Sequence, residues 1–467
     1  MALGKRIPPQ QPLFVSTAGL AALRPHPYYD AVNAVLDAHG FDAFVEAACE
    51  SFYKGTVGRP GLPPGVYFRC LMVGYLEGID SERGIAWRCA DSNSLKLFLG
   101  YAIDQTTPDH STLSRTRRLI DLQTHAEVFR FLLKVLANHN LIGGKTVGVD
   151  STTLEANAAM RSIVRRDSGE GYAEFLTRLA QESGIETPTR EDLAKLDRAR
   201  KSKGCNDDWH NPNDPDAKIT KMKDGTTHLA HKAEHAVDLG EDAHGAVLAV
   251  NVADAAVGDT QTIIDTLART ADHLQSVADD PRVTKKIDSH WLSEVVADKG
   301  YHSREVIKTC TDTGIRTYTS EPKRGRQNWH GDSEVRVAVH GNRRRIQGER
   351  GRRLLRRRGE FLERSFAHCY ETGGLRRLHL RGRANIAKRL LIHAAGFNLG
   401  LLMRVSYGLK KPRGLGRAAP SALAALAAAF WTAWACLPSV LNALAAHGRP
   451  INELPQPSRP IRLSLTV

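Results

Sequence analysis

Three acids in this chain have the residue type and placing that metal-dependent chemistry needs. Asp150 ends an alternating run, KTVGVD, in which Val147 and Val149 take turns with Thr146 and Gly148, the period of a half-buried strand. Asp298 ends a second run, EVVAD, and Gly300 breaks the strand two residues later. An acid in that position is held by a sheet yet keeps its side chain at the sheet edge. Two such carboxylates, drawn from distant parts of the chain, offer the oxygen ligands that hard cations such as Mg²⁺ take while keeping several waters. A third acid is expected in RRRGEFLERSFAHCYETGG. If that stretch is a helix, Phe361, Leu362, Phe366, Cys369 and Tyr370 mark its buried side. Glu363 then falls at the border of that side and Glu360 roughly opposite, so Glu363 is the acid placed to lean over a sheet edge. Three carboxylates would neutralise much of the charge of two divalent ions. Such ions, about 3.5–4 Å apart, make a water nucleophilic and stabilise a leaving oxygen, which is what cutting a phosphodiester requires.

The elements that must position these acids can be read from the same pattern. Beyond Asp150 the strand gives way to a polar stretch from Glu155 to Thr226, an insertion hung from the sheet. Strand patterning resumes over Thr227–Asp238 and Ala246–Ala253, with the turn Gly240–Gly245 making them a hairpin. Gly258 and Asp259 start a helix that runs through Leu274, with Asp259 expected as its cap rather than as a ligand. Ser303 caps a helix that stops at Gly314, and Ile315–Thr319 reads as one more strand. Strand, hairpin, helix, strand, helix, strand is the order of an α/β fold of the ribonuclease H type, a mixed sheet flanked by helices. Upstream, Phe41–Phe52 and Val66–Leu76 are apolar-periodic helices, Ser81 caps another, and Asp109 caps a short basic one. Its Arg115, Arg117 and Arg118 are candidates for DNA contacts, as on the second helix of a helix-turn-helix unit. The expected layout is a helical DNA-binding and assembly domain over 1–125 and a catalytic domain over 140–405 that carries the insertion at about 155–226. A tail or packing helix over 406–467 completes it.

Composition points to the same class of partner. The 467 residues carry a formal charge of +14, which favours a polyanion, nucleic acid before an anionic membrane surface. Arginines crowd the stretch RRRIQGERGRRLLRRR, from Arg343 to Arg358, just ahead of Glu363. Arg343, Arg344, Arg345, Arg357, Arg358 and Arg364 are therefore candidates for holding phosphates, which a planar bidentate guanidinium suits. The seven cysteines are scattered and include no CxxC pair, against a disulfide framework or a zinc ribbon and in favour of reduced thiols in the cytoplasm. No signal peptide is read at the N-terminus, and Ser421–Leu437, apolar but alanine-rich, reads as a packing helix or tail instead of a membrane anchor. Trp209 and Trp329 lie in polar stretches, where anchoring of a loop competes with stacking on an unpaired base.

VGVDSTTLEANA, ADKGYHS and RRRGEFLERSF, in that order, resemble the three catalytic blocks of bacterial insertion-sequence transposases with a DDE site, related to the IS4 and IS5 families and nearest the IS1182 type. LPPGVYFRCLMVGYLEGIDSERGIAWRC and TTPDHSTLSRTRRLI resemble the helical N-terminal domain of the same proteins, and the likeness spans roughly Pro60 to Arg404. The resemblance implies a ribonuclease H-like core with Asp150, Asp298 and Glu363 as catalytic and metal-binding triad. It also implies two Mg²⁺ ions, with Mn²⁺ as substitute, double-stranded DNA as substrate, recognition of terminal inverted repeats, and a homodimer or higher synaptic complex in the bacterial cytoplasm at the nucleoid. Where the wider IS4-type pattern has Tyr and Arg before the glutamate and Lys after it, this chain has Arg356, Gly359 and Tyr370.

Two other readings use different residues. His228, His231 and His235 in HLAHKAEH would line one side of a helix and bind zinc in a metallohydrolase, but the flanking pattern is a strand, which splits His228 from the other two. A non-catalytic DNA-binding protein derived from a transposase would use only the helical region and the arginines.

Overall fold

The computed structural model describes residues 25–53, 61–200, 204–222, 225–285, 287–323, 325 and 327–412. The Ser421–Leu437 segment, and with it nearly all of the expected tail, lies outside the described residues. The described residues open with seven α-helices, α1 (Pro27–Ala38), α2 (Phe41–Cys49), α3 (Pro64–Glu77), α4 (Glu82–Asp91), α5 (Asn93–Phe98), α6 (His110–Leu119) and α7 (Leu122–Asn138). Their starts follow the capping residues. The Ser81 hydroxyl accepts the Gly84 N–H at 3.2 Å and the Asp109 carboxylate accepts the Thr112 N–H at 2.7 Å, satisfying amides that a helix start leaves without partners.

The sheet is built on β1 (Thr146–Glu155). After it come β2 (Val164–Arg165), α8 (Tyr172–Glu182), α9 (Arg190–Ala199), β3 (Trp209–His210) and β4 (Lys218–Lys221), then the hairpin of β5 (Thr227–Asp238) and β6 (Val247–Asp254). The remaining elements are α10 (Asp259–Ala278), β7 (Glu294–Ala297), α11 (Arg304–Asp312), β8 (Arg316–Thr319), α12 (Ser333–Gln347), α13 (Glu349–Phe366) and α14 (Arg383–Tyr407). β5 pairs antiparallel with β1 and carries β4 and β6 along its other edge; β7 pairs parallel with β1, and β8 parallel with β7. This is the mixed sheet expected. Helices cover both faces: Glu294 of β7 takes an ion pair from Arg350 of α13, whereas Glu234 of β5 accepts hydrogen bonds from Thr262 and Thr266 of α10.

Three expectations need correction. β1 does not stop at Asp150; antiparallel pairing with the long β5 carries it on to Glu155, opposite Ala230, while the parallel ladder with β7 stops at Gly148. Asp259 is not the cap of α10. That position belongs to Gly258, and the Asp259 carboxylate is turned onto Ser151 and Lys232. The insertion is not merely polar: Trp209 is 2% exposed, with the rings of Tyr172 and Phe175 5.1 and 5.2 Å away, so it is a core residue and not a platform for a base. Trp329 is covered by the Arg304 guanidinium at 4.5 Å.

The helical region and the sheet share one core running from Tyr28 to Met403. The helix that joins them is α14, packed on α3, α7 and β6. It is long and apolar enough to cross a membrane, yet 94% of that stretch is buried inside the protein, as in a central core helix.

Candidate active site

Register alone brings the two aspartates side by side. β1 and β7 run parallel with Thr146 opposite Glu294, Val147 opposite Val295 and Gly148 opposite Val296. Continued two residues along each strand, the same offset sets Asp150 level with Asp298, on neighbouring strands that are ordinarily about 4.8 Å apart. Asp298 keeps an extended backbone at this point, φ −81° and ψ −175°. Because strand side chains alternate, Asp150 shares a face with Thr146, and Asp298 with Glu294. That face is the one under α13: Thr146 and Arg350 both bond the Glu294 carboxylate, at 2.6 and 2.7 Å, and Arg358 lies 2.7 Å from Asp150 Oδ2. Beyond the strand end, Asp298 Oδ1 accepts the Gly300 N–H at 2.7 Å and fixes the turn that follows.

α13 crosses the sheet obliquely, from Glu294 of β7 at Arg350, over Val149 and Asp150 of β1 at Arg358, to His235 of β5 at Ser365. Its apolar stripe of Leu354, Phe361 and Leu362 is buried. One flank faces the β5–β6 turn at the start of β1, where Arg353 pairs with Glu241 and Arg357 donates to the carbonyls of Glu241 and Ala243. At about 100° per residue, Glu363 lies about 180° round the helix from buried Leu354, on the solvent-facing side of α13. It is exposed, as is Glu360, which is paired at 2.5 Å with Arg364. Glu363 thus stands further from the apolar stripe than the border position read from sequence. Among the described residues, no three His, Cys, Asp or Glu side chains are gathered closely enough to hold an ion. Residue types and strand geometry fit a divalent cation at Asp150 and Asp298, and the described side-chain positions leave Glu363 outside that pair.

Behind the aspartates lies a partly buried polar layer outside the three acidic motifs. Asp259 Oδ1 accepts from the Ser151 hydroxyl at 2.9 Å and pairs with Lys232 Nζ at 2.5 Å. Glu234, fully buried, accepts from Tyr301 at 2.7 Å and from Thr262 at 2.9 Å, and also from Thr266; burial pushes its carboxyl above the usual range. The strand parity of Lys232 and Glu234, both buried on the α10 side, was the available signal.

The arginines divide. Arg115, Arg118 and Arg344 are exposed. Arg117 is 7% exposed and bonded to Glu82 and Asn385, each at 2.7 Å, so it ties α6 to α4 and α14 instead of facing solvent. Arg343 is paired with Glu321 and Arg345 donates to the Thr317 carbonyl, while Arg357 and Arg358 are held as described above. The histidines of β5 also go separate ways. His231 meets Asp214 at 3.0 Å, His235 lies between Ser365 and Tyr370, and His228 is 3.7 Å from Glu155, so the zinc arrangement is not formed. Burial lowers His235 to about 3, which keeps it neutral beside Asp150, its register partner.

Residues 20–119 match the family described as Transposase domain (DUF772), and residues 196–399 match the Transposase DDE domain. The second match contains Asp298 and Glu363, and Asp150 precedes it. No curated protein and no solved structure matches the chain. The DDE domain carries with it a ribonuclease H-like core, which the strand order β6-β5-β1-β7-β8 fits, and the use of a divalent metal on DNA. The two matches in this order are consistent with the IS1182 type. With both domains matched, in this order, the chain belongs to the DDE-type transposases of insertion sequences.

Proposed function

We propose that this DNA transposase cuts at the terminal inverted repeats of its element and joins the freed 3′ ends to target DNA, using Asp150, Asp298 and Glu363 as its acidic triad. What supports the reading is the parallel register of β1 and β7, which, continued two residues past the paired ladder, sets Asp150 level with Asp298, together with the reach of α13, the helix that bears Glu363, to Asp150 through Arg358. In this reading Asp150 and Asp298 would hold two Mg²⁺ ions, for which Mn²⁺ would substitute, and Glu363 of α13 would complete the triad. The ions supply a nucleophilic water near neutral pH and charge stabilisation at the leaving oxygen. The protein's own part is to hold the scissile phosphate in line and to exchange water for a 3′-hydroxyl as the attacking group, since both steps are in-line displacements at phosphorus.

Exposed Arg115 and Arg118 on α6 and Arg344 on α12 would neutralise flanking phosphates, with the helical domain reading the ends. Arg358 would pass from Asp150 to a phosphate as DNA enters. A homodimer or larger synaptic complex, acting on DNA in the bacterial cytoplasm, would bring two ends together. The test is cleavage of end-bearing duplexes in Mg²⁺ or Mn²⁺. Asp150→Asn, Asp298→Asn and Glu363→Gln should each lower cutting by about a hundred- to a thousandfold, the order lost when a main electrostatic contributor is removed, while end binding stays unchanged. Normal cutting by Glu363→Gln together with loss in Glu360→Gln would move the third assignment to Glu360.

A further inference from the structure

The parallel ladder that brings the aspartates level ends at Gly148 and Val296, so nothing in it fixes the spacing of Asp150 and Asp298 two residues further on. We propose that Asp259 sets this spacing, as a positioning residue bonded to β1 and β5 and packed against the turn after β7, and that it thereby sets divalent-ion affinity. This inference rests on the reading that Asp150 and Asp298 bind the ions.

Asp259 is the first residue of α10, on the face of the sheet opposite α13, and its two carboxylate oxygens reach in different directions. Oδ1 accepts from the hydroxyl of Ser151, the neighbour of Asp150, at 2.9 Å. Oδ2 lies against Gly300, two residues after Asp298, only 2.7 Å from where a Cβ would stand. Asp298 Oδ1 lies 3.1 Å from the same point, so the two carboxylates come within about 6 Å of each other beside this glycine. Any side chain here would have to push one of them away. Two acids so close repel, and the repulsion would spread the turn after β7. Lys232 opposes it: its ammonium, on a residue 6% exposed, lies 2.5 Å from Asp259 Oδ1 and is also held by the Val257 carbonyl at 3.1 Å and by Thr262 at 3.3 Å. Asp259 is therefore neutralised from within the protein, unlike an acid reserved for an ion. Its bonds to Ser151 of β1 and Lys232 of β5 and its close approach to Gly300 meet on the face of the sheet opposite α13.

The experiment measures Mn²⁺ binding to the full chain by calorimetry, with the melting temperature and end-DNA affinity recorded alongside. Asp259→Asn keeps an acceptor for Ser151 but loses the charge that Lys232 faces, and should raise the Mn²⁺ Kd about tenfold. Ser151→Ala, which leaves Lys232 satisfied, should raise it about threefold, and Gly300→Ala should resemble Asp259→Asn. End-DNA affinity should match that of the wild type in all three. A Mn²⁺ Kd within twofold of wild type in folded Asp259→Asn and in Ser151→Ala overturns the proposal; if Asp259→Asn does not fold, Ser151→Ala decides by the same criterion. Asp298→Asn separates the two levels: wild-type Mn²⁺ binding by that variant would overturn the site assignment itself.

Discussion

Replacing Arg358 by glutamine tests whether Asp150 is an ion ligand without measuring catalysis. In the structure the guanidinium is 2.7 Å from Asp150 Oδ2, with side chains 13% and 25% exposed. Two unit charges centred about 4 Å apart attract by about 4 kcal/mol at an effective dielectric of 20. Desolvation of two largely covered groups offsets much of this, and the residual exposure of Asp150 screens more. Glutamine retains a donor for the Val149 carbonyl, which Arg358 Nε now reaches at 3.4 Å, but leaves the carboxylate without its countercharge. The variant should therefore be destabilised by about 1–3 kcal/mol in metal-free buffer, less than the cost of breaking a fully buried pair. A divalent ion would restore the missing charge. If the guanidinium competes with the ion for Asp150, Mn²⁺ should bind the variant about tenfold more tightly, and at saturating ion this adds about 1.4 kcal/mol of stabilisation over that seen in the wild type. The assay is thermal unfolding of both proteins over a Mn²⁺ titration. Equal or smaller stabilisation of Arg358→Gln by Mn²⁺ would refute the reasoning, because the competing cation would then not share a site with the ion.

The remaining arginines should separate by burial. Replacing exposed Arg115 and Arg118 together by alanine should weaken binding to all duplexes alike and reduce the salt slope of log K by about 2, one unit per lost phosphate contact, as measured by anisotropy over a salt series. Arg117→Ala should instead cost about 3 kcal/mol of stability in chemical denaturation, because it leaves the Glu82 carboxylate covered and unpaired. Acid should unfold the protein through its buried histidines. Burial lowers His125 and His273 to about 4 and His235 to about 3, so the unfolded chain takes up protons first. Stability should thus be level above the ordinary histidine pKa of about 6.5 and fall as the pH drops below it, by about 2 kcal/mol per residue at pH 5; equal urea midpoints at pH 7.5 and pH 5 would contradict this. Trp209→Ala should empty the small core of the insertion at a cost of about 3–5 kcal/mol, and limited proteolysis should then cut between β1 and β5 before it cuts the sheet.

Strand and helix placement could be read because each element carries its own punctuation. Ser81, Asp109 and Ser303 do cap helices, and the hairpin turns where its glycines lie. Asp259 misled for a physical reason. Gly-Asp before an apolar-periodic run is a fair cap signal, but the choice between capping and reaching across to Ser151 and Lys232 depends on what folds opposite. The length of β1 was similarly a matter of its partner: nothing in STTLE is strongly strand-forming, and β5 supplies the edge that keeps those residues extended.

What this chain's sequence determined by itself is local or additive: the alternation that starts β1, the apolar run of β7, the acids that follow these runs, the helix signals, and a positive charge suited to DNA. Tertiary structure decided which charges meet. The arginine run looks uniform along the chain, yet Arg358 lies on Asp150, Arg350 on Glu294 and Arg357 on a turn, whereas Arg344 faces solvent. Asp259 and Gly300, some forty residues apart in sequence, touch only because α10 and the β7 turn end at the same corner of the sheet. A side chain's partner depends on the angle at which its helix crosses the strands, and that angle is set by packing over the whole core, which no single stretch of sequence encodes.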